Sequence, residues 1–138
     1  FGVPNSAIMD TTKRLSDIMD LLPQADTEIL ESIHHQLEVA QFETYYKQWK
    51  AETAFESNGR KIIENTYYQK MINMGKAAIP LILEKYVQAN DHWSYASRRI
   101  TGISLNESTN YGNLEAIRMD WIEWGVKNNL IDAPEFSK

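Results

Sequence analysis

The chain has 138 residues, of which 43% are hydrophobic and 24% are charged, and its formal net charge is −5. A chain of this length is expected to fold as a single domain without a disulfide or structural metal. It has no cysteine, which excludes disulfides and thiolate zinc sites and is compatible with the cytoplasmic location that we expect. The acidic balance argues against nucleic acid as a partner, since phosphate binding draws on a basic excess. The longest apolar run, at 77–83, is too short to span a bilayer, so no membrane partner is expected.

The N-terminal region is predicted to be a helical appendage within residues 10–40. Residues 1–9 lack periodicity and are predicted to be loose. The chain begins at Phe1 instead of methionine, so we expect a trimmed or partial sequence. Pro23 ends a predicted helix over 10–22, because the residue before proline avoids the α region. That helix is predicted from one apolar stripe: Leu15, Ile18, Met19 and Leu22.

Residues 26–56 carry two apolar stripes whose phase differs along a helix. The pattern predicts either one long helix that changes packing partner or two helices with a break near Ala40, and we favour two packing segments. Asn58 and Gly59 are predicted to end the region, because both residues accept left-handed backbone angles. The first stripe comprises Ile29, Ile33, Leu37 and Ala40, and the second comprises Phe42, Tyr45, Tyr46 and Trp49.

The remaining sequence predicts helices and almost no strand, because apolar residues recur at spacings of three and four. Gly75 and Gly102 are predicted to end two of these helices. The predicted fold is all-α, an irregular multi-helix bundle of about six helices forming one domain over residues 1–138. Residues 76–89 and 92–101 resemble a HEAT/armadillo-like helical pair. The first predicted C-terminal element is a helix that begins at Ile62, or only at Asn65, and runs to Met74. It is followed by that pair, by an exposed loop at 103–112, and by a helix over 113–127 with the apolar seam Leu114, Ile117, Trp121 and Trp124.

Four sequence segments in the C-terminal two-thirds carry a resemblance to a known family: WKAETAFESN (49–58), YYQKMINMGKAAIPLILEKY (67–86), HWSYASRRITG (92–102) and WIEWG (121–125). Together they cover roughly half of the chain. The sequence resembles a group of uncharacterised bacterial proteins, and the resemblance implies a helical fold. Because the group has no established activity, the resemblance identifies no catalytic residue. Members often carry a proline after the ITG triplet, where this chain has Ser104 and Leu105.

One pattern has the spacing of a metal site. Glu31 and His34 match Glu-x-x-His, which places two ligands on one helix face in di-iron bundles, and Glu31, His35 and Glu38 share a face. A di-iron site needs a second such motif and two further glutamates, and the motif occurs only once. We therefore interpret the pattern as a solvated acidic helix face and predict no metal and no cofactor.

Two polar clusters are candidate binding sites. Thr53, Ser57, Asn58 and Lys61 can bind a small anion or a peptide backbone, although capping and turn formation explain the same residues. In the second cluster, His92 can act as a general base if a carboxylate orients it. Trp93 can anchor a partner or pack in the core, as can the other tryptophans. Arg98 can bind an acidic partner or pair with Glu84 or Asp91.

Three function classes remain open from the sequence. The first is a non-enzymatic module that binds a protein or peptide around His92, Trp93, Arg98 and the loop at 104–111. The second is an enzyme or small-ligand-binding protein with its site near His92 or the 53–61 cluster. The third is a nucleic-acid-associated regulator, which the net charge disfavours. No Walker, Gly-x-Gly-x-x-Gly, Gly-x-Ser-x-Gly or His-Glu-x-x-His motif occurs.

Overall fold

The computed structural model describes residues 24–105 and 112–135. The predicted terminus at 1–9, the predicted helix at 10–22 and most of the predicted loop lie outside the described residues. By its contacts the chain divides into two compact units, Phe1–Leu37 and Glu38–Lys138. The described residues contain helices and no strand, which confirms the all-α prediction of about six helices.

Six α-helices and one 3-10 turn make up the described secondary structure. In chain order they are α1 (Gln24–Glu52), α2 (Gly59–Glu64), α3 (Thr66–Asn73), the 3-10 turn (Gly75–Ala77), α4 (Ala78–Gln88), α5 (Trp93–Thr101) and α6 (Leu114–Lys127).

The helix α1 is continuous, so of the two alternatives for residues 26–56 the structure shows one long helix, without the break near Ala40. No proline or glycine interrupts the hydrogen-bond ladder of this segment. Its two apolar stripes nevertheless differ in burial. The second stripe is buried at Phe42 and Trp49, both 0% exposed, whereas the first is exposed, by 58% at Ile29, 48% at Ile33 and 65% at Leu37.

The segment in which we predicted one helix to Met74, beginning at Ile62 or at Asn65, forms two short helices, and Asn65 is the reason. Its backbone angles (φ −54°, ψ 137°) leave the helical region, which ends α2. Its side-chain oxygen then accepts hydrogen bonds from the backbone N–H groups of Tyr67 and Tyr68, which begins α3. Gly75 has φ +71° and follows Met74, the C-cap of that helix, as predicted for a left-handed helix terminus.

The C-terminal helices begin and end close to their predicted limits. Pro80 lies in the first turn of α4, where its missing N–H costs no intrahelical bond. Gly102 ends α5 with φ +74°, and Asn113 caps α6 by accepting a hydrogen bond from Ala116 N. The assignment of Leu114 to the apolar seam was wrong. As the first residue of α6 it is 68% exposed, while Trp121 further along the helix is buried.

The core of the second unit is built around aromatic side chains. Trp49, Trp93 and Trp121 are buried, and the rings of Trp49 and Trp93 lie 4.9 Å apart. The Nε1 atom of Trp49 donates a buried hydrogen bond of 3.0 Å to the carbonyl oxygen of Ile62, which ties α1 to α2. Helix α4 contacts both α5 and α6. Gly125 lets α6 pack closely, since a Cβ atom at this position would lie 2.7 Å from Leu83 Cδ1.

Candidate functional site

His92, one residue of the second candidate cluster, lies close to the first cluster at the start of α2. A Cβ atom on Gly59 would lie 3.9 Å from His92 Cε1, so the imidazole lies against the turn that precedes α2. Phe55 and Asn58 belong to the same connection, and Asp91 precedes His92. We refer to Phe55, Asn58, Gly59, Asp91 and His92 as the junction face.

An ion pair holds the two sides of the junction face together. Lys50 Nζ, near the end of α1, lies 2.7 Å from Asp91 Oδ2. The other carboxylate oxygen of Asp91 accepts a hydrogen bond of 2.8 Å from the backbone N–H of His92. The pair is partly exposed, so its contribution to stability is about 1 kcal/mol or less. Its main consequence is to position the backbone before α5.

Two residues of the 53–61 cluster form helix-end hydrogen bonds. Capping was the alternative to ligand binding for this cluster. Thr53 Oγ1 donates a hydrogen bond of 2.7 Å to the carbonyl oxygen of Trp49, at the end of α1. Asn58 Oδ1 accepts a bond of 3.0 Å from Arg60 N and so caps α2. Ser57 and Lys61 are exposed beside them.

Trp93 and Arg98 lie in different surroundings from His92. Trp93 is 1% exposed, and its ring lies near those of Trp49 and Tyr68. It therefore belongs to the core and does not anchor a partner at the surface, which corrects its assignment to the contact surface. Arg98 is half-buried, and its guanidinium carbon lies 5.8 Å from the ring centre of Tyr95. The carboxylate of Asp91, one of the partners considered for Arg98, binds Lys50.

Phe55 is a candidate contact residue that the sequence reasoning missed. Its side chain is 102% exposed, in the turn that follows α1. Leaving a phenylalanine side chain in water forgoes about 1.5–3 kcal/mol of hydrophobic stabilisation. The available signal was its position as the one large apolar residue between polar ones in the sequence ETAFESNG.

A cavity of about 290 Å³ lies on the α5 side of the junction face. Its volume is at the lower end of the range for small-molecule sites. Leu114 gives it an exposed apolar wall. The cavity is lined by Tyr86, Asn90, Asp91, His92, Ser94 and Leu114.

The described residues form neither a cluster of metal ligands nor a membrane-spanning helix. Within residues 24–105 and 112–135, no group of three or more His, Asp or Glu side chains is placed to hold a metal ion. The Glu31–His34 spacing is therefore not completed by other ligands in that part of the chain. None of the helices described combines the length and apolar character needed to cross a membrane.

Tyr68 supports the junction face from the core. Its hydroxyl donates a hydrogen bond to the carbonyl oxygen of His92 and accepts one of 3.1 Å from Ala96 N. The tyrosine thereby satisfies backbone groups at the start of α5, where no side chain of α5 itself caps the helix. Burial raises the pKa of the Tyr68 phenol well above its ordinary value, so it remains a neutral donor throughout the physiological range.

We expect Tyr68→Phe to lower the free energy of unfolding by about 1–3 kcal/mol, because backbone groups of His92 and Ala96 lose a buried partner. Urea denaturation followed by circular dichroism measures this change. His92→Ala is the matched control. It removes an exposed side chain but keeps the backbone carbonyl, so it should leave unfolding nearly unchanged. An equal loss in both variants would contradict this assignment.

The raised pKa of Tyr68 also predicts an alkaline loss of stability. The folded state holds the phenolic proton more tightly than the unfolded state does, so the stabilisation is complete below the ordinary tyrosine pKa of about 10. It declines as pH rises above that value. Tyr68→Phe should therefore have a flatter stability profile than the wild type above about pH 10.

No protein-family model, curated protein or solved structure matches the chain. Functional inference therefore depends on the residues of the site.

Proposed function

We propose that the protein is a non-enzymatic interaction module that binds a protein or peptide through the junction face. The observation that carries the proposal is the complete exposure of Phe55. An aromatic side chain held on a short turn between two helices loses little conformational freedom on binding and buries a large apolar area. Such residues commonly act as binding hot spots.

The polar neighbours of Phe55 fit the rim of a protein interface. Ser57, Asn58 and His92 are exposed donors or acceptors around the turn, and hot spots are typically surrounded by polar contacts that exclude water. The ion pair between Lys50 and Asp91 links the end of α1 to the residue that precedes His92. A surface ordered before binding has less entropy to lose when a partner docks.

The test is capture of partners from the source cell with three forms of the full chain: wild type, Phe55→Ala and Met119→Ala. Met119 is a matched control, since it is an exposed apolar residue on α6. We expect a partner retained by the wild type and Met119→Ala but lost by Phe55→Ala. Titration calorimetry with that purified partner should give an affinity about 30-fold weaker for Phe55→Ala, as for a hot spot of about 2 kcal/mol. Equal affinities for all three forms would refute the proposal.

A second candidate function, binding of a small ligand, is favoured by the cavity that includes His92 and Ser94. It predicts that His92→Ala abolishes binding of a small molecule found by thermal-shift screening, while Phe55→Ala keeps it. Unchanged binding of that small molecule by His92→Ala would refute this second candidate. The HEAT-like pair, the bacterial family likeness and the cytoplasmic location stay predictions.

A further inference from the structure

The first half of α1 carries a second apolar surface, separate from the junction face. Ile29, Ile33 and Leu37 are all exposed by about half or more. Their spacing of four residues places them in one row along a helix. Single exposed aliphatic residues are ordinary, but three in one row form a continuous patch, and patches of this kind mark interaction sites. We call these three residues the α1 row.

The glutamates in the first half of α1 lie away from the α1 row. At about 100° per residue, Glu28, Glu31 and Glu38 project from other sides of the helix. Gln36 borders the row without charge, and Asp26 lies near its N-terminal end. A protein with a net charge of −5 thus presents an uncharged strip on an otherwise acidic helix segment. Like-charge repulsion between two copies is weakest at such a strip.

The α1 row is also symmetric along the helix. Ile29 and Leu37 are four residues before and after Ile33. A twofold axis through Ile33 would place Ile29 of one copy against Leu37 of the other, at both ends of the contact. Twofold interfaces require this self-complementarity, because the same patch serves on both sides.

The position of Asp26 selects between the two orientations of such a pair. In a parallel pair the two Asp26 carboxylates would lie side by side across the contact, and like charges directly opposite each other destabilise it. In an antiparallel pair centred on Ile33 the two Asp26 residues are separated by about 21 Å along the axis, at 1.5 Å per residue. That distance exceeds the screening length at physiological salt.

We propose that the α1 row docks against the same row of a second copy of this chain, in an antiparallel contact centred on Ile33. The contact is small beside the roughly 800 Å² per partner of a standard stable interface. It therefore forms a concentration-dependent dimer and not a permanent one. This self-association uses residues other than the junction face and does not depend on the proposed function.

Sedimentation equilibrium of the full chain, from low micromolar to near-millimolar concentration, tests the dimer. We expect the weight-average mass of the wild type to rise toward that of a dimer. Ile33→Glu should remain a monomer, because it buries a carboxylate at the twofold axis. Ser32→Glu, an exposed neighbour outside the row, should associate like the wild type. A wild type that stays monomeric at every concentration would overturn the proposal.

Cysteine cross-linking tests the orientation, and the absence of native cysteine makes every disulfide assignable. In the antiparallel pair the two Ile33 Cα atoms are about 4–6 Å apart, within disulfide range. The two Ile29 Cα atoms are more than about 12 Å apart. With diamide as the oxidant, Ile33→Cys should form a covalent dimer. Ile29→Cys alone should not, but mixed with Leu37→Cys it should cross-link. Self-cross-linking of Ile29→Cys would overturn the antiparallel assignment.

Melting temperatures distinguish the proposed dimer from a contact in which another segment of the same chain covers the α1 row. If an intramolecular contact covers the α1 row, Ile33→Glu lowers the melting temperature equally at every protein concentration, which contradicts the proposal. In the dimer, the difference in melting temperature between the wild type and Ile33→Glu shrinks as both are diluted, because dissociation removes the contact.

Discussion

Trp49→Ala is expected to lower the free energy of unfolding by about 5 kcal/mol, at the upper end for large-to-small core substitutions. Trp49 is fully buried, and its ring packs against Trp93 at 4.9 Å and Tyr68 at 5.1 Å. The substitution leaves a large cavity and removes the hydrogen bond to Ile62. A loss of this size approaches the total stability of a small domain, so the protein should be largely unfolded at 37 °C.

Circular dichroism during urea denaturation measures the effect, and Lys47→Ala on the same helix is the control, because Lys47 is exposed. The control should differ from the wild type by no more than about 0.5 kcal/mol. A Trp49→Ala protein that loses less than about 2 kcal/mol would show that the aromatic cluster repacks and does not depend on this indole.

Trp121→Ala is expected to cost about 3–5 kcal/mol, slightly less than the loss at Trp49. Trp121 is also fully buried, and its ring meets that of Trp124 edge to face at 5.4 Å. Its Nε1 atom is buried, but the described residues offer it no hydrogen-bond acceptor. Its contribution is therefore almost entirely one of packing. Thermal and urea unfolding of the purified variant measure the loss.

Phenylalanine variants separate packing from hydrogen bonding at the two tryptophans. Trp49→Phe loses the bond to the Ile62 carbonyl, whereas Trp121→Phe loses no bond among the described residues. We expect Trp49→Phe to be less stable than Trp121→Phe by about 1–2 kcal/mol. Equal losses would mean that the indole N–H of Trp49 contributes little beyond its ring.

These core contacts affect the junction face because they position the helices that carry its residues. Trp49 and Tyr68 connect α1 and α3 to the start of α5, and Tyr68 binds the carbonyl of His92 directly. Substitutions of either residue should therefore weaken partner binding through the fold. Phe55→Ala should weaken it with little change in stability, because Phe55 is exposed. Measuring unfolding and binding on the same variants separates the two causes.

Much of the fold could be predicted from local sequence. Apolar residues at spacings of three and four predict helices, and Gly75 and Gly102 end helices where their left-handed angles require glycine. Asn65 was one of two predicted starts for the helix that runs toward Met74, and only the structure shows that its side chain caps that helix. Leu114 was misassigned, because periodicity does not reveal that a helix end projects into solvent.

The candidate site was predictable only in part. Asn58 and His92 stand 34 positions apart, and nothing in their sequence spacing indicates that the turn before α2 meets the start of α5. Periodicity likewise could not separate the buried second stripe of α1 from its exposed first stripe. Both consist of apolar residues at helical spacings of three and four, and burial depends on which other elements pack against each one.

The amino-acid sequence by itself determined the helical class of the described residues and several helix ends, because hydrogen bonding and backbone angles within a helix are local. Only the tertiary structure decided that Trp93 lies in the core, that Phe55 lies in solvent and that His92 lies against Gly59. These outcomes depend on contacts between residues far apart in the chain, whose free energy comes from burial.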